Sequence, residues 1–264
     1  MSPPSEPPSL PAHLSDSAGT PWAGRRFSPS TAAGDDGSAP EALARAWAAF
    51  GTGRTGPEAV VDALRDARLL IPLVAHLGEE GEGVDGLRAD KSQELAIVTV
   101  AGPDGRTVLP VFSSVEAMRR WDASARPVPV DARRAAVAAV AEGTEVMVLD
   151  PASEHEFVVR RPALWAIAEG TPWRSSPSDL EVLAALRSGA DREEAVVSLA
   201  VHAGDPAQRL RGAELVIALE LRPGLDEEAL HALLARLGEG WAADEVVAAR
   251  VDSMTLQLVA APPS

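Results

Sequence analysis

The chain has no cysteine, no tyrosine and no asparagine, and Lys91 is its single lysine. The missing cysteine excludes a disulfide framework, a zinc–thiolate site, a cysteine nucleophile and any sulfur transfer through a protein persulfide. No stretch of apolar residues is long enough to span a membrane as a helix. The N-terminal region has no basic segment running into an apolar one, and Arg25-Arg26 is followed by the polar "FSPSTAAGDDGSAP", so no export signal is expected. Positive charge is also scarce: 24 Lys and Arg face 39 Asp and Glu, for a net charge of −15. Such a surface repels nucleic acid and anionic membranes, which are bound mainly through Lys and Arg. The reading is a soluble cytoplasmic protein whose partners are neither nucleic acid nor membrane.

What remains is an ordinary globular composition, 46% hydrophobic and 24% charged over 264 residues. That length holds one large domain or two modest ones. Residues 1–38 are dense in Pro, Ser and Gly and are expected to be a disordered tail, with Trp22 and Phe27 its only aromatics. A first domain is expected over 39–170 and a second over 178–261, with the boundary in "GTPWRSSPSD". The fold class read from the pattern is α+β: two mixed domains with largely antiparallel sheets.

In the first domain, Ser38 is placed to cap a helix carrying Leu43, Trp47 and Phe50 on one face. "GTGRTG" after it follows a helix and not a strand, so it reads as a linker and not as a dinucleotide loop. Strands are expected at about 71–77, 95–101 and 107–112 as an antiparallel meander, the last two joined by a Pro-Asp-Gly turn. Pro110 removes a ladder donor and is expected to face outward or lie at a bulge. An acidic glycine-rich loop fills 78–93, without the ligand order of a calcium loop. Ser113 and Glu116 have capping-box spacing, which makes the serines of "VFSSVEAM" a helix start and not nucleophiles. Asp131 is expected to cap a helix with Val137 and Val140 inward.

In the second domain, Ser178 and Glu181 repeat the capping-box spacing, with Leu180, Leu183 and Leu186 expected inward and Gly189 closing the helix. A helix capped by Asp226 is expected to end at Gly238. "EVVAARV" and "MTLQLVA" read as closing strands, giving an order of helix, two strands, helix, two strands.

Chemistry-bearing residues are thinly spread. None of His13, His76, His155, His202 and His231 has a second histidine at metal-ligand spacing. "DPASEHE", from Asp150 to Glu156, gathers three carboxylates and a histidine; it reads as a polar hairpin tip, with a hard-metal site as the sharper alternative. No cofactor and no catalytic set is expected.

"LLIPLVAHLGE", "ELAIVTVAGPDGRTVLPVFSSVEAMRRW" and "GTEVMVLDPAS" followed by "EFVVRRPALWAI" together resemble the SseB family, the enhanced-serine-sensitivity proteins. Pro72, Leu109, Pro110, Phe112, Glu116, Trp121, Asp150 and Pro151 carry the resemblance, over about residues 57–170. The N-terminal "DDGSAPE" and the C-terminal domain are similar to the longer actinobacterial branch. The resemblance implies an α+β fold and a link to serine tolerance, and it carries over no catalytic position. Three functions stay open: a non-enzymatic module that binds or regulates a protein partner, a regulator that binds a small molecule such as an amino acid, and an enzyme of unrecognised type using carboxylates near Asp150. Pro110, Phe112, Glu116, Trp121, Asp150 and Pro151 form the candidate interaction surface. The oligomeric state is left open.

Overall fold

A computed structural model describes residues 35–75, 95–97 and 99–259. By its contacts the chain divides into Met1–Asp36 and Gly37–Ser264, and all the helices and strands of the described residues belong to the second unit. The tail as far as residue 34, the acidic loop 78–93, His13 and His76 lie outside the described residues.

Two helices open the unit, α1 (Glu41–Gly51) and α2 (Pro57–Arg65). The N-cap of α1 is Pro40, not Ser38, and it makes no side-chain cap bond. Proline lacks only an N–H that the first turn leaves unpaired anyway. Strand β1 (Arg68–Ala75) pairs antiparallel with β2 (Leu95–Ile97) on one side and β5 (Arg126–Asp131) on the other. A second sheet runs β3 (Val100–Ala101), β4 (Thr107–Val111), β6 (Met147–Leu149), β7 (Phe157–Val159). The expected meander is therefore split between sheets. The β3–β4 hairpin forms as read, with Gly102 N–H donating to Arg106 O at 2.7 Å and Gly105 at φ 83°. But β4 meets β1 only at a bridge, where Leu70 and Phe112 exchange backbone bonds of 2.8 and 2.9 Å.

β4 and β6 are parallel, Leu109 opposite Met147. Leu109 N–H donates to Val146 O, and Val111 O accepts from Asp150 N–H. The backbone of Pro110 thus faces away from β6, so its missing donor costs that ladder nothing. Its ring is buried, contrary to the outward position expected. Helix α3 (Val115–Trp121) follows β4, and α4 (Ala132–Ala141) follows β5 with Asp131 accepting from Arg133 N–H. Here the valines are turned out: Ala132, Ala135, Ala136 and Ala139 are buried, while Val137 and Val140 are exposed. Small alanines let α4 pack close to α5 (Arg161–Glu169), which leaves no room for branched side chains on that face.

The C-terminal half has α6 (Leu180–Ala190), β8 (Val196–Ala203), β9 (Leu215–Leu221), α7 (Glu227–Ala243), α8 (Glu245–Arg250) and β10 (Met254–Val259). Four readings change. Asp179, not Ser178, caps α6 by accepting from Glu181 N–H at 2.9 Å. With that start, Val182, Leu186 and Ala190 face inward and Leu180 is left 72% exposed. Helix α6 continues through Gly189, and α7 through Gly238. "EVVAAR" is helix α8, because the Asp244 carboxylate accepts from Val246 and Val247 N–H and starts a helix that valine content alone reads as a strand. The crossover through α7 and α8 makes β10 parallel to β9, while β8 is antiparallel to it. The fold is α+β, with helices and mostly antiparallel sheets.

Two larger hydrophobic clusters result. One gathers Leu43, Leu64, Leu109, Phe157, Leu164 and Ile167, and the other surrounds Trp241 with Val182, Leu186, Ile217 and Leu237.

Candidate functional site

Because β4 and β6 run parallel, their carboxyl ends lie side by side, the position where open α/β arrangements bind ligands. The chain leaves β4 through Phe112, Ser113 and Ser114, and leaves β6 through Asp150. The Asp150 carboxylate accepts the Ser113 N–H at 2.8 Å and the Ser113 hydroxyl at 2.6 Å. The expected capping box is not formed. Ser114 caps α3, accepting from Ala117 N–H at 3.1 Å, and Glu116 pairs instead with Arg120 one turn on. Ser113 is thereby released to join the two strand ends.

The turn after Asp150 is held tightly. Asp150 at φ 47° and Ala152 at φ 61° occupy the left-handed region, which aspartate tolerates and alanine resists. Ser153 hydroxyl donates to Asp150 O at 2.7 Å, Glu156 carboxylate accepts Ala152 N–H at 2.7 Å, and the Arg209 guanidinium donates to Glu154 O at 2.6 Å. The Asp150 and Glu156 carboxylates of "DPASEHE" are thus bound to backbone N–H groups, and among the described residues no group of three or more His, Asp or Glu is placed to hold a metal.

Asp150 is 4% exposed. Burial pushes its carboxyl above the usual range, and the Ser113 bonds, then His155 and Arg120 at longer range, oppose that rise. Above it lies a cavity of about 150 Å³, lined by Ala39, Leu43, Trp47, Ser113, Leu149 and His155 among others. The His155 ring stands edge-on to Trp47, centroids 4.1 Å apart at 77°.

The six expected surface residues are dispersed by burial. Pro110 and Phe112 are inside, Trp121 is half-buried and tilted against Phe112 at 5.3 Å, Pro151 is half-buried, and Glu116 is exposed. Asp150 alone reaches the cavity. His202 and His231 are exposed and remote from it. Trp47, Ser113 and His155 were not read as a unit in the sequence; only the parallel pairing of β4 with β6 brings them together.

Residues 41–166 match the model of the SseB protein N-terminal domain. This segment belongs to the SseB family. No curated protein and no solved structure matches the chain. The SseB domain runs from the start of α1 into α5 and contains every residue of the Asp150 cavity named above except Ala39. Two of its arginines leave it. Arg160, 2% exposed, donates to Asp205 at 2.7 Å, to Gly212 O at 2.9 Å and to Asp252 at 3.1 Å. Arg106 makes a paired contact with the same Asp252 at 2.9 and 3.0 Å. The segment read as a domain boundary is packed: Ser176 is fully buried between Glu214 and Arg250 O, and Glu58 of the SseB domain accepts from Ser175 N–H.

Glu214 gives a pH prediction. Burial raises its carboxyl, with the Ser176 and Asp252 N–H bonds opposing. A carboxyl raised in the fold binds its proton more readily folded than unfolded, so its ionisation erodes stability as pH climbs through the folded value. Glu214→Gln keeps an acceptor for Asp252 N–H and is expected to melt increasingly above the parent as pH rises past the ordinary glutamate range. A melting difference that stays flat with pH would sink this reading.

Proposed function

We propose that the chain is a cytoplasmic, non-enzymatic module that binds a protein partner, in the setting of serine tolerance that its family implies. The observation that supports this is an exposed anchor pair. Trp165 on α5 is 51% exposed and Leu180 at the head of α6 is 72% exposed. Both line an open cleft of about 790 Å³ with Pro172, Trp173 and Arg174. Large apolar side chains grouped on one surface mark contact sites, and tryptophan and arginine dominate their energetics. Arg174 has no ion pair among the described residues. The fitting partner presents an apolar side chain to Trp165 and Leu180 and a carboxylate to Arg174. The Ser113 hydroxyl, by contrast, is engaged with a carboxylate that also holds the backbone, an arrangement suited to bracing two strand ends.

Affinity capture from the native host tests this. Trp165→Ala is expected to weaken partner binding about 30-fold, the effect of truncating a contact worth ~2 kcal/mol, with melting unchanged. Undiminished capture by a Trp165→Ala, Leu180→Glu double variant, or turnover of a physiological substrate, overturns it.

The cavity at Asp150 supports a second reading, a regulator that responds to a small molecule such as an amino acid. Its size is that of one small organic molecule.

A further inference from the structure

The buried carboxylates of this chain are not treated alike. Asp205 and Asp252 pair with Arg160, and Asp179 pairs with Arg250. Glu214 has no ion pair among the described residues and is closed in by Ser176 and the Asp252 backbone. Asp150 is the one that faces a cavity while no Arg, Lys or His forms an ion pair with it among the described residues. An ionised carboxylate out of water and without a counter-charge is costly, and natural sites supply the cation.

The walls say what kind of cation fits. Asp150 and Ser113 provide the polar end, Leu43 and Leu149 the apolar lining, and the Trp47 indole with the His155 ring an aromatic side. Each Asp150 oxygen accepts one bond from Ser113, and a carboxylate has about four acceptor sites in all, so capacity remains for an incoming N–H. An ammonium beside a carboxylate and an indole gains from both. A cavity of about 150 Å³ is benzene-sized. No Lys or Arg lines it, so a ligand carboxylate would meet the Asp150 carboxylate with only the His155 ring to offset it, and that ring already acts on Asp150.

We propose that the cavity at the carboxyl ends of β4 and β6 binds a small primary amine, its ammonium on Asp150 and its carbon chain against Leu43, Leu149 and Trp47. This rests on the small-molecule reading of the cavity and narrows it; it is independent of the Trp165 cleft. The raised Asp150 carboxyl agrees with it, since a bound ammonium relieves the cost of ionisation that burial imposes.

The test is titration of the full chain with propylamine, ethanolamine, L-serine, 1-propanol and propionate, followed by calorimetry and by indole resonances in NMR. The two amines are expected to bind saturably at millimolar concentration. Asp150→Asn retains an acceptor for Ser113 N–H and tolerates the same backbone, and it is expected to weaken amine binding at least tenfold. Ala48→Leu, which narrows the cavity from α1 with Asp150 intact, is expected to do the same. Binding of 1-propanol as tight as propylamine overturns the amine and leaves the cavity as a neutral-ligand site. L-Serine binding more tightly than ethanolamine likewise overturns a carboxylate-free ligand while the regulator reading stands. No binding by any probe overturns both.

Discussion

Replacing Arg160 by methionine is expected to lower the unfolding free energy by about 3–5 kcal/mol, the usual result of removing one partner from a buried ion pair. Methionine fills much of the space, so the loss reads the charge and not a void. Asp205 keeps Arg209 and Leu210 N–H as donors at 2.9 and 2.7 Å but loses its cation. Asp252 keeps Arg106. Burial raises the Asp252 carboxyl, but Arg106 and then Arg160 outweigh it and hold the group below the ordinary range. A carboxyl depressed in the fold stabilises above its unfolded value, and that stability is lost as pH falls through the folded one. Acid sensitivity should therefore shrink in the variant along with total stability. Urea titrations at neutral and acid pH measure both; a loss below about 1 kcal/mol would mean that desolvation offsets the whole network.

Trp241→Ala is expected to cost a similar ~3–5 kcal/mol by opening a cavity in the second core. The indole is 1% exposed, and its N–H donates to Leu186 O at 3.1 Å. It also lies against Gly189: a Cβ there would stand 2.5 Å from the indole nitrogen. Gly189→Ala is accordingly expected to destabilise, although alanine is the better helix former. Thermal unfolding of both variants decides it, and a stabilised Gly189→Ala would show that the indole has room to move.

Local signals in the sequence carried well wherever the chemistry is local. The Pro-Asp-Gly hairpin, the Asp131 and Asp226 caps and the Leu43 stripe all depend on residues within a turn of each other. The errors came where a distant partner decides. Ser113 and Glu116 have the right spacing for a cap, but Asp150, 37 residues on, competes for Ser113 and wins with a charge-assisted pair. Alanines and not valines face the core from α4 because α5 packs close to it. The α8 helix was hidden by two valines whose strand preference yields to the Asp244 cap. The Asp150 cavity could be read only in part: the cluster "DPASEHE" was visible, but Trp47 is about a hundred residues away in sequence, and no spacing rule spans that distance. One long-range signal was legible in principle. Arg160-Arg161 sits at the start of a helix, where the dipole disfavours cations, between buried Val159 and Pro162. Charge placed so poorly by local rules implies carboxylates from elsewhere.

The partners of Arg160 also set an order of events during synthesis. Asp252 is 92 residues downstream, so at usual elongation rates roughly 5–20 s pass before the ribosome has made it. In that interval Asp205, 45 residues downstream of Arg160, emerges first, and the guanidinium still lacks its second carboxylate. The segment that leads into β10 thus completes the charge pairing of the SseB domain as well as delivering a strand to its own sheet.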